Sequence, residues 1–381
     1  MTTVPRHLVL VGAGHVHVGV LRRFARRRLA GARITVISPD PATTYSGMVP
    51  GVVAGLYRPE QARIALMPLL HAAGAAWRRT VAVGIDSGAR LVLCGDGPPE
   101  RYDLLSLDIG AAPGAPDGAI AVRPVAGLPR AVAALRQRLR ERRGGHVAVV
   151  GAGAGGTELM LALSVVLRRE LGDAVRLSLM GPLLPGLPHG FRARVAAVLT
   201  ERGVERHWGD VVAVAPGRLC LSDGAVVDAD EILWATAVAP APWLRQSGLD
   251  LDSGGFLATD AHLRVGGSDC VFAAGDCASP QPNEIAKSGV YAVRAAPVLA
   301  ANIHRSLAGR PLRAFRPQRN TLLLLSTGTR HAIGTRGGLV VSGGWVWRWK
   351  DWLDRRFVTG RFIGGRFLSG PRTPSDGGPG R

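Results

Sequence analysis

The chain has 381 residues, 47% of them hydrophobic, and a formal net charge of +19. That length excludes a single small domain and accommodates two or three of roughly 100–200 residues each, while no apolar run approaches the ~18–20 residues of a membrane span. Lys287 and Lys350 are the only lysines, so arginine carries the charge in a chain also rich in Ala, Gly, Val and Pro. This reads as compositional bias, and no nucleic-acid partner is expected. The arginine clusters at 22–28 and 136–143 are predicted to be solvated helix faces.

In chain order, residues 7–11 form an apolar run that enters Gly12-Ala13-Gly14. A helical stretch through Arg28 and a second apolar run at 33–37 follow, giving strand, glycine turn, helix, strand. Because the first run ends in a glycine turn and not in a cleavage site, no signal peptide is indicated and a cytoplasmic protein is expected. Residues 103–109 read as a strand closing at Gly110, and the Gly/Pro-rich stretch 110–118 as a linker, with a domain boundary near 120. The first pattern then repeats as strand 146–150, the turn Gly151-Ala152-Gly153-Ala154-Gly155-Gly156, helix 157–169 and strand 175–180. Strands at 231–235 and 270–274 come next, the latter ending in Gly275-Asp276. Beyond about 315 the chain offers strands at 321–326 and 339–341, then a Trp-rich segment. Residues 371–381 are too polar and Gly/Pro-rich to fold alone and are expected to be disordered.

Two glycine turns, each between a strand and a helix, point to dinucleotide binding. Gly12 permits the tight bend, and Gly14 allows a pyrophosphate to approach the helix N-terminus, whose N–H groups and dipole stabilise an anion. His17 stands at the third position, where Gly is usual, and Ser38, with Asp40 beyond it, stands where an acid would bind the ribose. The second fingerprint is complete in Gly151, Gly153 and Gly156, with Glu158 on the helix behind it. Its following strand ends in Leu179-Met180-Gly181, with neither the acid that favours NADH nor the arginine that favours NADPH, so the nicotinamide preference stays open.

These fingerprints, together with residues 271–276 (Val-Phe-Ala-Ala-Gly-Asp) and 232–237 (Ile-Leu-Trp-Ala-Thr-Ala), resemble the pyridine nucleotide-disulfide oxidoreductase superfamily over about residues 6–310. Within it the chain is similar to the type II NADH dehydrogenase-like branch. Residues 44–51 and 289–294 resemble the flavoprotein module found fused ahead of selenophosphate synthetase. The resemblance implies an α/β fold of two Rossmann-like domains, one for FAD at 1–120 and 257–310 and one for NAD(P) at 121–256, inserted in the first. A C-terminal α+β portion at 311–370 follows. It also implies that Gly12, Gly14, His17, Ser38, Ser46, Pro50, Gly110, Gly275 and Asp276 bind FAD, Asp276 through the ribityl chain. Gly151, Gly153, Gly156 and Glu158 would bind NADH or NADPH. Lys287 would lie at the flavin, and Lys287, Glu158 and Tyr291 are the candidate catalytic residues; no metal site is predicted.

Departures from the family pattern narrow the chemistry. Cys94, Cys220, Cys270 and Cys277 form no C-x-x-C or C-x-x-x-x-C pair, which disfavours disulfide reduction. Residues 286–291 (Ala-Lys-Ser-Gly-Val-Tyr) replace the A-Q-x-x-x-Q stretch of quinone-reducing members. The expected activity is hydride transfer from NAD(P)H to flavin and then to a small acceptor such as a quinone. A selenium or sulfur compound as acceptor, and a redox-sensing role with little turnover, stay open. So do a homodimer and peripheral contact with the inner face of the cell membrane. Trp345, Trp349 and Trp352 share one helical face, which is expected to pack on the flavin domain in preference to lipid.

Overall fold

A computed structural model describes residues 5–236, 238–281, 287, 289–318 and 320–360, and the backbone of strands Phe362–Ile363 and Arg366–Phe367. The tail at 371–381 lies outside the described residues, as do 282–286 and 288. Two five-stranded sheets organise the molecule. In the first, Val271–Ala273, Leu104–Leu107, Arg6–Val11, Ala32–Ile37 and Ala75–Arg78 lie side by side, each neighbour parallel. In the second the order is Ile120–Ala121, Glu231–Trp234, Gly145–Val150, Val175–Met180 and Val204–His207, again all parallel. The chain leaves the first sheet after Leu107 and re-enters it at Val271, and every strand of the second lies between.

The central strands read as unbroken apolar runs because both faces are covered. Leu8 and Leu10 join the core beneath helices His15–Arg26 and Gly289–Leu307, while Val9 and Val11 join a separate core with Tyr102, Leu105 and Leu107 on the other face. Val147 and Val149, against Ala148 and Val150, divide in the same way in the second sheet. Alternation at a period of two thus feeds four cores from two strands.

Three-stranded antiparallel units flank these sheets, at 82–101, 211–228 and 323–343. The last of them comprises Leu323–Ser326, Ala332–Arg336 and Leu339–Gly343, and carries helix Gly344–Val358. Its middle strand escapes the sequence reading because His331 and Gly334 break its apolar pattern. The second-turn helix starts at Ala154, not at residue 157, since Gly155 and Gly156 belong to its first turn.

Two expectations about surfaces are corrected. Arg22 is not solvated: it is 7% exposed, stacks on Phe357 and donates to the Val358 carbonyl. By contrast Arg136 and Arg140 do lie at the surface, paired with Glu170. The indole face of helix Gly344–Val358 is not packed on the body of the protein. Trp345, Trp349 and Trp352 are exposed, because the helix turns Val346, Lys350, Asp354 and Phe357 inward instead. None of the eight tryptophans is buried. Among the described residues no helix is long and apolar enough to cross a membrane.

Candidate functional site

Strand Arg6–Val11 delivers the chain to Gly12, whose φ of +86° favours glycine. Helix His15–Arg26 then begins with Gly14 as its N-cap and no capping side chain of its own. The cap comes from the end of the neighbouring strand. Asp108, at the end of strand Leu104–Leu107, accepts the His17 N–H on Oδ2 at 2.8 Å. The glycines close around this acid: a Cβ on Gly12 would stand 2.3 Å from the Asp108 carbonyl oxygen, and Cβ atoms on Gly14 and Gly275 would stand 2.4 and 2.5 Å from its Oδ1. Burial pushes the Asp108 carboxyl up to about 7, against the His17 and Val16 N–H groups that favour its ionised form.

His17 fills the third fingerprint position from behind. Its Nδ1 lies 2.7 Å from the Gly12 carbonyl and its Nε2 2.9 Å from Ser106 Oγ. A carbonyl only accepts, so Nδ1 carries the proton and Nε2 accepts from the serine. Burial lowers the ring's pKa to about 4, which keeps it neutral. With no exposed surface, the imidazole braces the turn and cannot contact a cofactor, which corrects its predicted role. Ser38 sits at the carboxyl end of strand Ala32–Ile37, buried, with its carbonyl accepting from Trp77 Nε1 at 3.0 Å. Pro50 is buried in the short helix Val49–Val53. Ser46 faces the start of helix Gly289–Leu307 across 3.5 Å, measured to a Cβ built on Gly289, and Gly110 borders open space.

Gly275, Asp276, Lys287 and Tyr291 line one cleft, together with Leu263 and Phe315. The Asp276 carboxylate is ion-paired with Arg123, whose guanidinium also reaches the Lys287 carbonyl. Lys287 Nζ donates to the carbonyls of Asp276 and Ala278 at 3.0 and 3.1 Å, and stands 3.6 Å from the Phe256 ring centroid. His15 lies edge-on to Tyr45, and burial, with Arg123 and Arg22 adding to it, lowers its pKa to about 4.

The second turn is built differently. Gly151 has a φ of +107°, and a Cβ on Gly156 would fall 1.9 Å from the Gly151 carbonyl oxygen, so only glycine lets the helix sit this close to its strand. Gly153 and Gly155 have nothing within 4 Å of a built Cβ, and no side chain caps helix Ala154–Leu171. Gly181 follows the next strand, and its N–H donates to the His207 carbonyl at 2.8 Å.

Glu158 turns away from this cradle. Its Oε1 accepts the Ser326 N–H at 2.8 Å and lies 3.6 Å from Lys350 Nζ. Lys350 donates to Asp354 Oδ2 and to the Gly47 carbonyl, both at 2.8 Å, and the Tyr45 hydroxyl bonds to Asp354. Burial pushes the Glu158 and Asp354 carboxyls up, with Lys350 pulling them back. Burial acts on Lys350 in the opposite sense, yet the two carboxylates hold its ammonium above the usual lysine range.

Two parallel sheets, each with a glycine turn at the end of its central strand, make a pair of Rossmann-like units, and sequence comparison places them in an oxidoreductase family. The chain belongs to the pyridine nucleotide-disulphide oxidoreductase family, which matches residues 6–296. Its place is in the type II NADH dehydrogenase-like branch. An NADH dehydrogenase-like protein of Mycobacterium tuberculosis is 31% identical over 301 residues, covering 72% of this chain and 74% of the relative. A type II NADH:quinone oxidoreductase of Haemophilus influenzae is 29% identical over 217 residues, 52% of this chain and 48% of the relative. In fold, the chain is similar to the NDH2 of Plasmodium falciparum, solved with NADH, with a TM-score of 0.76 at 14% identity, covering 96% of this chain and all of that one. The sulfide:quinone oxidoreductase of Aquifex aeolicus gives a TM-score of 0.78 at 18% identity, covering 93% and 92%.

Proposed function

We propose that the protein is an FAD-dependent NAD(P)H oxidoreductase that passes electrons from a nicotinamide dinucleotide on the second turn, through flavin on the first, to a small acceptor of the quinone class. The observation that carries this reading is the series of contacts through His15, Tyr45, Asp354, Lys350 and Glu158. It joins the first residue of one turn's helix to the helix behind the other turn, so ligands on the two turns would converge.

The residues fit both groups. Gly153 and Gly155 leave open space where a pyrophosphate needs close backbone approach, and Gly110 does so beside the first turn. Flavin, when bound, supplies the exchange of hydride for electrons. With the Asp276 carboxylate matched by Arg123, Lys287 supplies positive charge in the cleft of Asp276 and Tyr291, of the sign that stabilises an anionic reduced cofactor. Cys277, next to Asp276, is ill suited to relay electrons: it is buried, and loss of water raises its pKa to about 12. The quinone is suggested by the named activity of the Haemophilus influenzae relative.

The purified protein is expected to be yellow, and one of NADH or NADPH, added without air, should bleach its flavin band near 450 nm. Reoxidation by a soluble quinone analogue then identifies the acceptor class. A colourless protein that takes up no added FAD would defeat the proposal.

A further inference from the structure

The first turn is already occupied by an anion of the protein's own. Asp108 is 4% exposed, accepts the first-turn N–H of His17, and lies against the three glycines 12, 14 and 275 that shape the turn. Helix His15–Arg26 has no other side-chain cap, so the N–H groups and dipole that would serve a pyrophosphate serve this carboxylate first. The groups facing Asp108 do little to neutralise it. From the helix come the Val16 and His17 N–H groups, with the His17 ring neutral and turned to Gly12 and Ser106. From the 275–277 turn come the neutral Cys277 thiol and Asp276, whose charge is matched by Arg123; Lys287 is bonded to the Asp276 and Ala278 carbonyls. Strand Arg6–Val11 adds only the Val11 carbonyl, which accepts the Asp108 N–H.

Resting on the FAD reading above, we infer that Asp108 couples flavin binding to the uptake of one proton: the carboxylate caps the helix in the apoprotein and takes a proton from solvent when the pyrophosphate settles on the same turn. Two like charges on one site raise the affinity of the carboxyl for a proton. Burial has already raised the carboxyl's pKa to about 7 before any ligand arrives, so a modest further rise suffices. Asp108 is thus a positioning residue for the cofactor, acting through the turn and through its charge.

The test uses the full chain stripped of flavin, with FAD affinity read by fluorescence quenching from about pH 6 to 9, and proton uptake by calorimetry in two buffers of different ionisation enthalpy. Wild-type affinity should fall about tenfold per pH unit above neutrality, with about one proton taken up per FAD. Asp108→Asn, which keeps an acceptor for the His17 N–H without the charge, should bind with little pH dependence and at least about tenfold more tightly at the alkaline end. Wild-type binding without proton uptake overturns the inference, and that measurement stands even if the variant fails to fold. A folded Asp108→Asn protein that keeps the wild-type pH profile overturns it too. If neither protein binds FAD at any pH, the flavin reading itself falls, and the inference with it.

Discussion

Lys350→Met is expected to destabilise the protein by about 3–5 kcal/mol, the usual cost of removing one partner from a buried ion pair. Its ammonium lies between Glu158 and Asp354 and also donates to the Gly47 carbonyl. Without it, two acids in a water-poor environment lose their shared cation. Burial already raises both carboxyls, and the loss of Lys350 raises them further. An acid whose folded pKa is raised contributes stability at low pH that is lost as pH climbs through that folded value. The deficit relative to wild type should therefore grow as the pH is raised, for example from about pH 5.5 to about pH 8.5. Denaturant unfolding at both pH values measures it; an equal deficit at the two would contradict the assignment.

Gly156→Ala should abolish useful nicotinamide binding while leaving the first turn intact. The added methyl falls 1.9 Å from the Gly151 carbonyl oxygen, with Ala235 3.1 Å away on the adjoining segment. Neither neighbour is a flexible side-chain end, so the helix must retreat from its strand. An overpacking cost on the order of 3 kcal/mol corresponds to roughly a hundredfold loss of affinity for NADH or NADPH. Titration of the nucleotide against the flavin-loaded variant measures the effect, with flavin content unchanged as the control. Affinity within about threefold of wild type would mean that this glycine does not set the distance between helix and strand.

Both βαβ units could be read from the sequence because their signals are local. Apolar runs such as 7–11 and 146–150 end in glycines at fixed spacing, and the second fingerprint needed no help from tertiary structure. Gly275, Asp276, Lys287 and Tyr291 stand out in the sequence as candidates, and the structure brings them to one cleft. What stayed hidden depends on distant partners. Asp108 meets His17 across 91 residues of sequence, and its only local mark is an acid at the end of an apolar strand. Arg123 looked like one more member of an arginine-rich chain until Asp276 gave it a partner. Lys350 did carry a signal, as one of two lysines with an acid four residues on. A row of tryptophans at helical spacing drew attention to the opposite face. Periodicity finds a stripe, but only packing decides whether the stripe or its flank turns inward.

The placement of the tryptophans also decides how such experiments can be read. An indole reports unfolding by its emission when it passes from a dry interior to water, and here all eight begin at least partly wet. The exposed Trp208, Trp345, Trp349 and Trp352 should emit red-shifted light that moves little on unfolding, leaving only the half-buried Trp77, Trp234, Trp243 and Trp347 to respond. Far-ultraviolet circular dichroism, which follows the two helix-flanked sheets, is the signal that will record the loss of structure.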